Sequence, residues 1–454
     1  MATNFDTIVV GLGATGSAAV YQLAKRGNKV LGVDRFSPPH ANRSSYGESR
    51  IIRRAIGEGE QYVPMAMRSY ELWREIEQET GRDFLTITGG LTLESRSSQG
   101  VMHGRRDFLD QAIRCAEKFN IRHEILEAAE IRKRYPQFVV TDERAYFEYE
   151  TGFLRPELCL EAQLDLARRH GAAVQTDEIV TSFESDGPSR VTVTTSRGAY
   201  FAEKVIIAAG PWIANFLPPA YAHLFTIYRQ VMYWFDIRED CRAKFAPPGF
   251  PIFIWIFGNC DEFGFYGFPT LEGKTIKVAT EQFTQTTDPD HVQRLVRTEE
   301  ERAMYKKCIE GRLSGISERC AIAASCLYTL TPDSNFVIDV HPDNDRIIIA
   351  SPCSGHGFKH SAAIGEALAE QVIDGKSKND MSSFSLKRFK NRYNRRLILT
   401  GTIEMFGRFC AFRPAQQNPM LECKSELDLT SRRRQSQLSI VPAAAEALSK
   451  EGRL

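Results

Sequence analysis

The chain has 454 residues, 43% hydrophobic and 25% charged, with a formal net charge of +1. That length suits two domains around large buried cores, and a charge near zero excludes a molecule drawn as a whole to nucleic acid or anionic membrane. No apolar run approaches the ~20 residues of a spanning helix, and the ten cysteines show neither CxxC pairs nor a small-domain disulfide pattern. They read as reduced thiols in a cytoplasmic setting, with no metal site expected.

Thr7-Ile8-Val9-Val10 begins a strand almost at once, so no secretory leader is expected. Gly11-Leu12-Gly13-Ala14-Thr15-Gly16 follows, then a helix from Ser17 to about Arg26 and a second strand from Lys29 to Asp34. In that context the glycines have separate tasks. Gly11 permits the tight turn, Gly13 lets the backbone approach a pyrophosphate, and Gly16 lets helix and strand pack closely. The helix N-terminus offers free N–H groups to phosphate, and Asp34 is placed to accept from an adenosine ribose. NAD and FAD both carry adenosine diphosphate, so the motif alone leaves the choice between them open.

Further helices are expected from Val63 to Glu79 and from Phe108 to Phe119. Val205-Ile206-Ile207-Ala208-Ala209-Gly210 is a continuous apolar run closed by glycine, as in a strand buried on both faces of a parallel sheet. Between residues 221 and 325 the texture changes. Alternating aromatic stretches, Tyr228 to Phe235, Phe250 to Phe257 and Phe263 to Phe268, predict antiparallel strands, with helices near Asp288 to Arg312. Ile347-Ile348-Ile349-Ala350 is a second buried-strand run, leading through Ser354-Gly355-His356-Gly357 to a helix from Ser361 to Ile373. The expected fold is α/β, α+β overall: a Rossmann-type nucleotide domain assembled from separated segments, with a mainly antiparallel substrate domain inserted. After a basic stretch, Lys387 to Arg396, the remainder reads as a solvated extension. Gly452-Arg453-Leu454 faintly resembles a peroxisomal address but lacks the usual serine or alanine.

Several blocks carry a family resemblance. They are Gly47-Glu48-Ser49-Arg50-Ile51-Ile52-Arg53 with Gly57-Glu58-Gly59, Ala209-Gly210-Pro211-Trp212, Tyr228-Arg229-Gln230, Tyr266-Gly267-Phe268-Pro269, Cys326-Leu327-Tyr328-Thr329, and Ser354-Gly355-His356-Gly357-Phe358-Lys359. In order and kind they resemble the monomeric sarcosine oxidase and N-methyltryptophan oxidase family, over roughly residues 5–388. The resemblance implies FAD, held by Gly11, Gly13, Gly16, Asp34, Gly210, Gly355 and Gly357 and tethered covalently through Cys326. It implies 1–85, 145–220 and 326–388 as the FAD-binding domain and 86–144 with 221–325 as the substrate domain. Residues 389–454 have no counterpart.

Arg53 and Lys359 match the pair that holds a substrate carboxylate, a task suited to the planar fork of arginine. Lys277 matches the lysine that activates oxygen, Arg50 and Tyr46 match residues over the flavin face, and Tyr266 belongs to the catalytic pocket. The bacterial sarcosine oxidases carry histidine where this chain has Tyr46 and again where it has Glu281, which puts sarcosine itself in doubt as the preferred substrate. The activity implied is dehydrogenation of the C–N bond of a secondary-amine amino acid, N-methyl or cyclic, with oxygen reduced to hydrogen peroxide by a monomer or small oligomer. Two alternatives stay open: a flavin amine dehydrogenase with another electron acceptor, and a catalytically silent flavoprotein that serves as an interaction module.

Overall fold

A computed structural model describes residues 4–389 apart from Gln99, Pro188 and residues 259–263. The readings of the tail after residue 389, of the C-terminal tripeptide and of Phe263 lie outside the described residues.

The chain begins as its sequence predicts: a strand, Asn4–Val10, a helix, Ala14–Lys25, and a second strand, Val30–Val33. These two strands pair in parallel, and the first also pairs in parallel with Gly198–Ile207. Ala173–Gln175 extends the layer on one side and Asn344–Ser351 on the other, both in parallel register. The apolar runs are continuous because both faces are covered. On one face Val9, Ile206 and Ile348 pack beneath helical residues such as Val20, Leu23 and Leu368. On the other, Ile8, Val205, Ile207 and Ile347 meet Ile213, Leu217 and Phe225. Helix Ser361–Ile373 has the bounds read from sequence, and Val63–Thr80 and Phe108–Lys118 lie within a residue of theirs.

A second sheet of eight strands runs in the order Ile316–Leu330, Thr226–Ile237, Thr275–Thr280, Gly264–Gly267, Ile252–Ile256, Gly90–Glu94, Arg144–Glu148 and His123–Glu127. Its pairings are antiparallel except between Ile252–Ile256 and Gly90–Glu94. Its strands close over a core rich in aromatic rings, including Phe235, Phe253, Trp255 and Phe265. Ile316–Leu330 continues past residue 326, so Cys326 sits on a strand of this sheet. A small sheet of three strands, Arg50–Ile52, Gly152–Leu154 and Leu85–Ile87, lies apart from both and sets Arg50 at the start of one strand with Arg53 just beyond its end.

Two expectations need correcting. The helical segment near Asp288 to Arg312 is helical only from Thr298, as Thr298–Met304 followed by a wider turn, Tyr305–Ile309. Upstream, buried Arg229 replaces the helix ladder: it donates to the carbonyls of Gln293 at 2.7 Å and Leu295 at 3.1 Å, and to the Glu300 carboxylate at 2.6 Å. A side chain thus satisfies carbonyls that a helix would pair internally. Likewise the strand expected from Phe250 begins at Ile252, because Pro251 lacks the N–H that a ladder requires. Among the described residues no helix is long and apolar enough to cross a membrane, and no cluster of His, Cys, Asp and Glu is arranged to hold a metal.

Candidate active site

A cavity of about 500 Å³ runs from the first glycine turn to the mouth of the second sheet. Gly11 has φ of 90°, and a Cβ there would stand 2.5 Å from the Ala208 carbonyl oxygen. At Gly16 a Cβ would collide with the carbonyl of Gly11. Only glycine at both positions lets the strand turn this tightly into the helix. Gly13 caps the helix without a side-chain partner, so the first-turn N–H groups are left for a ligand.

Asp34 is buried in the cavity wall. One carboxylate oxygen accepts from Leu12 N at 2.6 Å and the other from Phe36 N at 2.8 Å. Each oxygen keeps a lone pair for a ribose hydroxyl. Burial pushes its carboxyl up, against these bonds and the positive charge of Arg43 and Arg35. Arg43, also buried and in the wall, makes no hydrogen bond through any guanidinium nitrogen and stands 3.6 Å from Glu157. A buried cation with unused donors, in the wall of the cavity that the glycine turn also lines, suits a pyrophosphate. These residues therefore fit an adenine dinucleotide. Gly210, Gly355 and Gly357 line the same cavity.

At the other end lies a dense charged cluster. Arg53 donates to Glu58 Oε2 at 2.5 Å and to the Ala55 carbonyl at 2.8 Å. Lys359 Nζ lies 3.6 Å from Glu58 Oε1 and donates to the His356 carbonyl at 2.8 Å. His103 Nε2 stands 3.3 Å from Glu281 Oε1 and 3.8 Å from Glu58 Oε1, and His356 Nδ1 lies 3.7 Å from the latter. Burial alone would raise the Glu58 carboxyl, but Arg53, Lys359, His356 and His103 outweigh it and hold Glu58 well below the usual carboxylate range. Burial pushes Lys359 down to about 8, with Glu58 opposing. It likewise drives His356 well down, and it raises Glu281. Arg53 and Lys359, 306 positions apart in the chain, are thus brought to one carboxylate.

The other predicted residues divide into two groups. Arg50 and Tyr266 line the cavity. The Arg50 guanidinium donates to the carbonyls of Tyr46 at 2.5 Å, Ser44 at 2.9 Å and Ser49 at 2.8 Å, and the Tyr266 hydroxyl is 3.3 Å from that of Tyr328. Lys277, Cys326 and Tyr46 stand behind the wall rather than on it. Lys277 Nζ donates to the carbonyls of Gly47 at 2.5 Å and Ser49 at 2.8 Å, and burial, with Arg50 adding, pushes its ammonium well below the ordinary lysine range. Cys326 is 2% exposed; burial raises its thiol while Arg50 and Lys277 pull it back. Tyr46 packs beside Met232 and Trp234 and contributes its carbonyl to Arg50.

Sequence reasoning assigned no role to Arg43, Glu58, His103 or His356. Glu58 had a usable signal, a single acid between two glycines just after two arginines, and His356 stands inside the Ser-Gly-His-Gly turn. His103 had none, because it reaches the cluster only through tertiary packing.

The sequence profile described as FAD dependent oxidoreductase, DAO, matches residues 6–371. The monomeric sarcosine oxidase of Bacillus sp. (strain NS-129) is 38% identical over 392 residues, covering 86% of this chain and 98% of that protein. The N-methyl-L-tryptophan oxidase of Yersinia pestis (strain Pestoides F) is 33% identical over 389 residues, 85% of this chain and all of its own length. Among solved structures, the open form of NikD, an amino acid oxidase of nikkomycin biosynthesis, superposes with a TM-score of 0.71 at 21% identity, covering 84% of this chain and 97% of its own. L-proline dehydrogenase from P. horikoshii superposes with a TM-score of 0.69 at 21% identity, covering 86% and 99%, a likeness of fold alone. With a glycine cradle fitted to a dinucleotide and relatives alike over nearly their whole length, the chain belongs to the FAD-dependent oxidoreductases, in the family of the monomeric sarcosine oxidases and N-methyl-L-tryptophan oxidases.

Proposed function

We propose that the chain is an FAD-dependent oxidase of a secondary-amine amino acid, N-methyl or cyclic, with molecular oxygen as electron acceptor. The observation that carries this reading is the convergence of Arg53 and Lys359 on one buried carboxylate in the wall of the cavity that leads to the dinucleotide cradle. Two cations placed to hold a carboxylate from within are equally suited to hold one from a ligand.

When bound, FAD would supply the redox chemistry, the two-electron oxidation of the C–N bond to an imine, which water hydrolyses, coupled to reduction of oxygen to hydrogen peroxide. The residues of this chain bind, orient and exclude water. The helix N-terminus after Gly13, Asp34 and Arg43 hold the dinucleotide. Arg53 and Lys359 hold the substrate carboxylate, fixing the position of the neighbouring C–N bond and removing much of the entropic barrier. Met102, Phe108 and Ile254, with Tyr266, make an apolar wall that keeps water from the reacting carbon. Lys277, set among carbonyls behind the wall, serves the oxygen half-reaction. A buried amine with a depressed pKa regains its proton when negative charge develops nearby, and so stabilises that charge. Cys326, where Arg50 and Lys277 oppose the effect of burial on the thiol, is the covalent tether.

The test is a screen of sarcosine, other N-methyl amino acids and cyclic imino acids under air, with peroxide and aldehyde measured together. Equimolar peroxide and product support an oxidase. Flavin reduction without peroxide would assign the chain to amine dehydrogenases, and no reduction by any amine would remove the enzymatic reading.

A further inference from the structure

The clamp leaves two buried polar atoms unused. Glu281, 8% exposed, makes no hydrogen bond through Oε2, and Nδ1 of His103 is likewise buried and unpartnered. Both residues line the cavity beside the clamp. Two carboxylate oxygens, from Glu281 and Glu58, face His103 Nε2 at 3.3 and 3.8 Å and favour the proton there. Glu281 Oε2 is thus a buried oxygen in the cavity wall with no donor to meet it, a costly arrangement unless a ligand supplies one.

The placement of His103 is specific. Its backbone has φ of 50°, a left-handed conformation uncommon for a residue with a side chain. It stands at the tip of a turn closed by Met102 N to Arg105 O at 3.0 Å and Arg105 N to Met102 O at 2.9 Å. Arg105 is in turn paired with Asp107 through two hydrogen bonds, at 3.1 and 2.9 Å. The imidazole meets the rings of His356 and Phe108 edge-on and tilted, at centroid distances of 5.2 and 6.1 Å. Packing on both sides holds it against Glu281.

We propose that Glu281 and His103 form a second polar subsite that selects substrates bearing a hydrogen-bond donor, a hydroxyl or an ammonium, on the group attached to the reacting amine or its carbon. The subsite rests on the carboxylate clamp proposed above, because the carboxylate end of the ligand must be anchored on Arg53 and Lys359 for its other end to reach Glu281. Small unsubstituted amino acids leave Glu281 Oε2 unpaired and bind without its contribution.

Three carboxylate ligands of equal length, with sulfur in place of the reacting amine, test this on the flavin-loaded protein: (2-hydroxyethylthio)acetate, (2-aminoethylthio)acetate and (propylthio)acetate. Dissociation constants are read from the change in flavin absorbance. In wild type at least one donor-bearing ligand should bind about tenfold or more tighter than the propyl compound, the scale of one charge-assisted hydrogen bond. Glu281→Leu should erase or invert that preference. Glu281→Gln keeps an acceptor oxygen and the side-chain volume, so it should retain the hydroxyl preference and reduce the ammonium preference. If Glu281→Leu does not fold, the Gln variant decides, and an unchanged ammonium-to-propyl ratio there overturns the subsite. Equal or tighter binding of the propyl ligand by wild type, or a donor preference surviving in Glu281→Leu, also overturns it while leaving the clamp intact. If none of the three ligands binds, the clamp falls and the subsite with it.

Discussion

Glu58 occupies the cations that the proposed substrate carboxylate needs, so it competes with the ligand. Replacing it by glutamine removes one charge and little volume. In the wild type Arg53 Nη2 meets Glu58 Oε2 at 2.5 Å, while Lys359 Nζ is 3.6 Å from Oε1, ion-pair distance without a tight bond. The Arg53 contact is therefore the one a ligand must break. A charge-assisted hydrogen bond in a buried site contributes roughly 1.5–3 kcal/mol, of which a neutral amide retains about a third to a half. Glu58→Gln should accordingly tighten binding of a simple thioether acetate by roughly threefold to thirtyfold. The same change leaves two buried cations without a counter-charge. Breaking a buried pair typically costs about 3–5 kcal/mol, so the unliganded protein should melt at lower temperature. The ligand restores the missing carboxylate, so the thermal shift on saturation should be larger in the variant than in wild type. Titrations followed by flavin absorbance and melting curves with and without ligand read both effects. Binding that weakens in Glu58→Gln, with no larger ligand-induced shift, would refute the competition and show that Glu58 only orients Arg53.

Three further outcomes follow from the same geometry. Lys359 titrates near 8 in the folded protein against an ordinary value of 10.5, so below pH 8 the clamp carries both charges, while above it binding must first restore a proton. The dissociation constant of an amine-free carboxylate ligand should rise towards tenfold per pH unit above 8, and Lys359→Met should flatten the profile; the unfolded chain keeps the lysine proton up to about 10.5, so the penalty of burying the cation is full below pH 8 and stability rises between about 8 and 10.5. Cys326→Ser should leave flavin in the supernatant after acid precipitation while wild type retains it in the pellet; complete release from wild type would remove the tether. Lys277→Met should slow reoxidation of reduced flavin by orders of magnitude and spare anaerobic reduction by amine, and equal losses in both half-reactions would count against its assignment to oxygen.

Much of the frame is legible in the sequence because its signals are local. The run Val205-Ile206-Ile207 reads as a strand covered on both faces and lies in the strand Gly198–Ile207, and the Gly11 to Gly16 turn needs glycine for reasons visible within its own backbone. Helix Ser361–Ile373 starts after a turn rich in glycine and ends at its last apolar residue, so its bounds follow from pattern alone. The segment after Asp288 misled because its carbonyls are paired by Arg229, a residue more than 60 positions earlier. The site divides in the same way. Arg53 and Lys359 stood in motifs that the family resemblance could read, whereas Glu58 has meaning only once both cations are seen to surround it. His103 and Glu281 meet across 178 positions, from a turn before the helix Phe108–Lys118 and from the end of the strand Thr275–Thr280, and neither carries a sign of the other.

The central claim is that a buried cation pair reads the carboxylate of a secondary-amine amino acid beside the flavin. Its most direct test is the rate of anaerobic flavin reduction by one N-methyl amino acid and by its carboxamide, in wild type and in Arg53→Met. The account predicts rapid reduction of wild type by the acid, reduction by the amide slower by at least tenfold to a hundredfold at equal subsaturating concentration, and an Arg53→Met enzyme that no longer distinguishes the two by more than a few-fold. Equal reduction of wild type by acid and amide would contradict it and place the enzyme among amine oxidases that do not read a carboxylate.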